Sequence, residues 1–239
     1  MSLLKAAVQR LKNFRRTKIF DFLAASPIIA WNLFGATQIL LGIKQKYALI
    51  KLFIETDISV MPSDLVLGMI ANITSLTFYV VMAVIFAVRW VSKPTYSKLS
   101  ENIISIFGAF IGVAILLLPE TEVSPLTYFI SEFLVIGGTG LAIWSGVYLG
   151  RSISILPEAR RMVASGPYAF IRHPLYVGEI TGLFGVALQH FSALALGIFG
   201  VVCVLQFLRM TYEERVLSSV FPEYEAYMAR TSRLIPHIY

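Results

Sequence analysis

Cysteine is almost absent from this 239-residue chain, and histidine is scarce: one Cys, at position 203, and 3 His. That excludes a disulfide framework and a cysteine-rich zinc site. Cys203 lies within an apolar run, where a thiol packs as a small hydrophobe. Charge is also scarce. Charged residues are 14% of the chain and hydrophobic residues 57%, with a mean hydropathy of +0.74. A soluble domain carries about 25% charged residues, so lipid is the expected surroundings for most of this surface. The net charge of +6 is then a matter for the loops between spans, with no nucleic-acid partner implied.

What the chain does have is long apolar runs. Spans are expected at about 19–43, 65–88, 103–118 (short) and 126–149. A polar stretch covers Arg151 to Pro174. A second apolar run, Leu175 to Leu208, is broken only at Gln189 and His190. Its 34 residues would make a helix about 51 Å long, against a hydrocarbon core of about 30 Å. A helical hairpin turning near Gln189–Ser192 fits better, with a first arm short for a full span. The expected fold is all-α: a polytopic transmembrane bundle of about six spans. The expected division is a basic N-terminal interfacial segment (1–18), helices one to four (19–149), and a cytoplasm-facing binding region with its hairpin (150–239).

Loop charge orients the bundle. With both termini cytoplasmic, seventeen of the 20 Lys and Arg residues fall inside. Only Lys44, Lys46 and Lys51 fall outside, beside the acidic turn of Glu120 and Glu122. That asymmetry follows the positive-inside rule. Residues 1–18 alternate basic and apolar side chains, which suits either an interfacial helix or an ordinary basic flank. A cleavable signal peptide is not expected, since the first apolar run is span length.

Polar residues inside membranes are costly and tend to be functional, and here they gather at one end. Ser165-Gly166-Pro167-Tyr168 reads as a turn. Arg172-His173-Pro174-Leu175-Tyr176 leads into the hairpin, with Pro174 suited to a first helical turn. The hairpin ends at Arg209, followed by Glu213-Glu214-Arg215. Folding it back lets Arg172, His173 and Tyr176 face Arg209, Glu213 and Glu214. Both charge signs meeting there suit a zwitterion such as a free amino-acid moiety. The same residues equally suit plainer roles: arginine as a span-end anchor, Glu-Glu-Arg as a solvated helix turn.

Leu149-Gly150-Arg151, Ser165-Gly166-Pro167-Tyr168 and Arg172-His173-Pro174-Leu175-Tyr176-Val177-Gly178 resemble the isoprenylcysteine carboxyl methyltransferase and phospholipid methyltransferase superfamily. So does the tail with Glu213-Glu214, Leu217, Phe221, Tyr224, Tyr227 and Leu234-Ile235-Pro236. The resemblance covers about residues 145–239 and does not extend to 1–125. It implies an integral membrane methyltransferase using S-adenosyl-L-methionine. Gly166, Pro167, Tyr168, His173, Tyr176, Glu213 and Glu214 would bind the cofactor, and Arg172, Arg209 and Tyr176 would serve catalysis, with no metal. The acceptor would be a membrane lipid or lipidated molecule: an isoprenylcysteine carboxylate, a phospholipid amine or a small thiol. Val177-Gly178-Glu179-Ile180 also resembles membrane steroid reductases, which bind NADPH, although Leu175 stands where those usually have Asn. A reductase and a non-catalytic lipid-binding module are the alternatives.

Overall fold

The computed structural model describes residues 17–56 and 63–236. The basic N-terminal segment expected at 1–18 lies outside them, apart from Thr17 and Lys18. Seven α-helices account for most of the described residues, and among these only Ile171 and Ser232 pair in β fashion.

Helix α1, Lys18–Glu55, is capped by the Thr17 hydroxyl, which accepts from the Phe20 N–H at 3.2 Å. It runs twelve residues past the expected end at Ile43. Lys44, Lys46, Lys51 and Glu55 lower the hydropathy there but leave helix propensity intact. Helix α2 is Ser63–Val88. Helix α3, Leu99–Phe110, tightens into a 3₁₀ segment over Ile111–Leu117. Helix α4, Pro125–Leu149, starts on a Ser124 cap with Pro125 in its first turn. Five helices, α1–α4 and α6, are long and apolar enough to cross a membrane, with α3 counted together with its 3₁₀ extension. The chain is therefore an integral, multi-pass membrane protein.

The expected hairpin is α5, Pro174–Gln189, and α6, Ala193–Val220. Its turn sits where Gln189 and His190 interrupt the hydropathy, and Ser192 caps α6 by accepting from the Ala195 N–H at 3.1 Å. Sixteen residues of α5 rise only about 24 Å. The arm nevertheless reaches the far connection. Thr121 donates its N–H to the Gln189 carbonyl at 3.0 Å and its hydroxyl to that of Phe191 at 3.3 Å. Helix α6 continues twelve residues beyond Leu208, so Arg209 and Glu213 share one helical face. Helix α7, Glu223–Arg230, completes the chain's regular structure.

Small residues set the closest packing, as expected where helices associate without a hydrophobic driving force. A Cβ on Gly138 of α4 would lie 2.3 Å from the Gly182 nitrogen, and one on Gly178 of α5 would lie 2.6 Å from the Ala142 nitrogen. Helices α4 and α5 therefore meet backbone to backbone, fixing Tyr176 and its neighbours relative to the rest of the bundle. Gly108 of α3 does similar work for α6: a Cβ there would sit 2.8 Å from Arg209 Cδ.

The segment between α4 and α5 folds under one end of the bundle. Asp21 of α1 is buried and accepts from Arg89 Nε at 3.1 Å and Arg160 Nη1 at 2.9 Å. Arg160 Nη2 also bonds Glu158 at 2.7 Å. An apolar cluster of Ala159, Val216, Phe221, Tyr224 and Tyr227 joins this segment to the end of α6 and to α7.

Candidate active site

The Ser165-Gly166-Pro167-Tyr168 turn is a 3₁₀ segment over Gly166–Ala169. Gly166 has φ +60, and a Cβ there would come within 2.3 Å of the Tyr148 ring. Only glycine meets both demands. Pro167 is buried beside it. The turn sets Tyr168, whose carbonyl accepts from Tyr227 Oη at 2.6 Å. The Tyr168 hydroxyl is itself buried with no protein partner. Burial pushes its pKa well above the ordinary value, so it remains a neutral donor.

Arg172 and His173 immediately precede α5, and their backbone N–H groups pair with the C-terminal strap. Arg172 N–H donates to Ser232 O at 2.8 Å and His173 N–H to Arg233 O at 3.2 Å. The Arg172 guanidinium is consumed in the same direction. Nε meets Glu214 Oε1 at 2.8 Å, and Nη1 donates to the carbonyls of Thr231 at 2.5 Å and Met228 at 3.2 Å. His173 Nε2 shares Glu214 Oε1 at 2.9 Å, while Arg233 approaches Glu214 Oε2 at 3.3 Å. Glu214 thus gathers three basic side chains and ties α5, α6 and the strap together.

Glu213 points elsewhere: it accepts from the Tyr176 hydroxyl. Arg209, buried, stands over the Tyr176 ring with Cζ 5.0 Å from the centroid and gives Nη1 to Gln206 Oε1 at 2.7 Å. Its Nε has no protein partner. All six hairpin residues expected to meet do meet, in two groups. Arg172, His173 and Glu214 form a clamp, and Tyr176, Arg209 and Glu213 form a second group; all of these except Glu214 line a cavity of about 370 Å³. The cavity runs from this polar end, with Tyr168, Tyr224 and Tyr227, to an apolar wall including Trp31, Phe78, Met82 and Phe110.

Two lining residues lie outside the set expected to build the site, although Glu179 belongs to the stretch that resembles the reductases. Glu179 lies one turn beyond Tyr176 on α5 and accepts from Gln206 Nε2 at 3.0 Å. The spacing of Gln206, Arg209 and Glu213 on α6 marks a single face, and Tyr176 with Glu179 is the matching pair on α5. Single polar residues at helical spacing in an apolar run were the available signal. Among the described residues, no cluster of three His, Cys, Asp or Glu could hold a metal ion.

Residues 126–224 match the profile of the phospholipid methyltransferase family. The cobalt-zinc-cadmium resistance protein CzcN of Cupriavidus metallidurans is 32% identical over 120 residues, 49% of this chain and 53% of that protein. The nickel-cobalt-cadmium resistance protein NccN of Alcaligenes xylosoxydans xylosoxydans is 26% identical over 155 residues, 61% of this chain and 70% of that protein. The chain thus spans about half the length of the first relative. The profile match contains the turn at Gly166, the start of α5 and the acidic pair of α6 in one continuous stretch. Over residues 126–224 the chain is similar to the phospholipid methyltransferase family, a member of the isoprenylcysteine carboxyl methyltransferase superfamily.

Proposed function

We propose that the protein is an S-adenosyl-L-methionine-dependent methyltransferase acting on a membrane-resident amphiphile from the cytoplasmic side. The observation that carries this reading is a cavity lined both by polar side chains, among them Tyr176, Arg209 and Glu213, and by apolar ones, among them Trp31, Phe78 and Phe110. A water-soluble donor and a lipidic acceptor need such a meeting place. The residues fit that donor by chemistry. Its amino-acid part is zwitterionic, and the polar end offers the unpartnered Arg209 Nε together with the Glu213 carboxylate. Tyr168, Tyr224 and Tyr227 supply aromatic surface for a base.

When bound, S-adenosyl-L-methionine supplies a methyl group on a sulfonium, transferred by in-line displacement. The task of the chain is then alignment and exclusion of water. Tyr176, held by Glu213 and covered by Arg209, would line the cavity wall against which the donor is aligned. Glu214, with Arg172, His173 and Arg233, closes the cytoplasmic side by holding the strap.

Membranes containing the protein, given donor labelled in its methyl group, are expected to pass label into an organic extract. Label only in volatile or water-soluble products would overturn the lipidic acceptor. The orientation rests on the loop charges. A cysteine placed at Glu122 is expected to react with an impermeant reagent in intact cells, and one at Arg160 is not; the reverse pattern rejects the topology.

A further inference from the structure

Three spans end together at one rim of the bundle, and their charges do not balance there. Lys18 begins α1, Arg89 and Trp90 follow α2, and Arg151 follows α4. Lys18 Nζ donates to the Arg89 carbonyl and Arg151 Nε to the Val88 carbonyl at 2.7 Å, so both side chains cap the end of α2. Arg160 joins them through Asp21. Arg89, Arg151 and Arg160 all stand close enough to act electrostatically on Lys18. Two carboxylates are set against these four cations. Asp21 serves Lys18, Arg89 and Arg160, and Glu158 serves Arg160. Arg151 forms no ion pair among the described residues. The rim therefore carries positive charge in excess. Residues 1–16 cannot offset it, since they hold five basic residues and no acidic one.

The excess faces outward. The Arg89 and Arg160 side chains are 8% and 1% exposed and are spent on the carboxylates. Arg151 is exposed, and its Cζ stands 3.4 Å from the centroid of the Trp90 ring. Anchored through Nε and stacked on Trp90, the guanidinium is held in place. Its Nη1 and Nη2 have no hydrogen-bond partner among the described residues. Trp90 is 43% exposed, as suits an aromatic at a membrane interface. Ile19 and Phe22 of α1 and Val84 and Val88 of α2 are also exposed, an apolar surface on which acyl chains can lie. We propose that this rim binds the phosphate of an anionic phospholipid. The two free nitrogens of Arg151 give the phosphate a two-pronged contact, and Lys18 adds a second charge. The lipid then supplies the negative charge that Asp21 and Glu158 leave short. A zwitterionic phospholipid also brings a phosphate, but its own ammonium cancels the charge. Lys18, Trp90 and Arg151 lie outside the cavity lining, so this site is separate from whatever the cavity takes and does not depend on the methyltransferase reading.

The test uses the full chain in phosphatidylcholine nanodiscs doped with a small fraction of lipid brominated on its acyl chains, either phosphatidylglycerol or phosphatidylcholine. Bromine quenches a tryptophan that it touches. The Trp90 contribution is the part of the signal lost in Trp90→Phe, a variant that keeps an aromatic face. Phosphatidylglycerol is expected to occupy the rim roughly tenfold more strongly than phosphatidylcholine, as a charge-assisted contact allows. In Arg151→Gln that preference is expected to fall to within about twofold. Glutamine can still donate to the Val88 carbonyl, so the cap on α2 survives. Arg230→Gln removes the same charge from an exposed position on α7 and should leave the preference in place. Equal quenching by the two lipids in the wild type, or a preference that survives Arg151→Gln, overturns the proposal. A preference lost equally in both variants marks diffuse surface charge and also overturns it. So does displacement of the brominated phosphatidylglycerol by inorganic phosphate, which would make the ligand a free anion.

Discussion

Arg172→Lys is expected to lower methyl transfer by roughly a hundredfold or more while leaving membrane insertion normal. Lysine keeps the positive charge and would satisfy a span-end anchor. It cannot reproduce the planar fork that reaches Glu214, Thr231 and Met228 together. Each lost bond to a charged group weakens the clamp by about 1.5–3 kcal/mol. The strap that pairs with Arg172 and His173 should then detach. Its Nε and Nη1 are spent on Glu214 and the strap, so the role tested here is that of a positioning residue at the edge of the cavity. Two readouts separate this role from that of an anchor. The strap around Thr231–Arg233 should become sensitive to limited proteolysis, and the affinity for the methyl donor should fall along with turnover. Near-normal turnover with a protected strap would sink this role.

The acidic pair should divide its effects. Glu213→Gln removes the carboxylate that holds Tyr176 and faces the cavity, but it leaves the clamp intact. A tenfold to hundredfold loss of affinity for S-adenosyl-L-methionine is expected, corresponding to about 1.5–3 kcal/mol, with the melting temperature in detergent little changed. Glu214→Gln instead leaves Arg172, His173 and Arg233 around a neutral amide. Breaking a buried pair in this way costs about 3–5 kcal/mol, so a marked drop in thermal stability should accompany any loss of binding. Equal behaviour of the two variants in both measurements would contradict the division.

How much of this could be read before the structure depends on range. Pro174 and the Gln189–His190 break fix the hairpin because they act locally, on φ and on hydropathy. The meeting of Arg172 and His173 with Glu214 follows once the hairpin is drawn, since the turn brings its ends together. What each acidic residue faces does not follow. Glu213 and Glu214 are adjacent on α6 and so point about 100° apart, and only the strap shows which one is engaged by it. Local sequence gave no hint that Asp21 would meet Arg160, 139 residues away. Helix α1 outlasts its apolar run because hydropathy measures lipid preference, and Lys44 to Glu55 end that preference without ending the helix. The pairing of Glu179 with Gln206 is illegible in the sequence for a related reason. Each is one polar residue in an apolar run, and their significance lies in facing each other across the hairpin.

Isothermal titration of the purified protein with S-adenosyl-L-methionine and, separately, with NADPH tests the proposed activity most directly. Saturable binding of S-adenosyl-L-methionine, weakened in Glu213→Gln, and no binding of NADPH is the expected result. Binding of NADPH in place of S-adenosyl-L-methionine would contradict it and point to a reductase, and binding of neither would point to a lipid-binding module without catalysis.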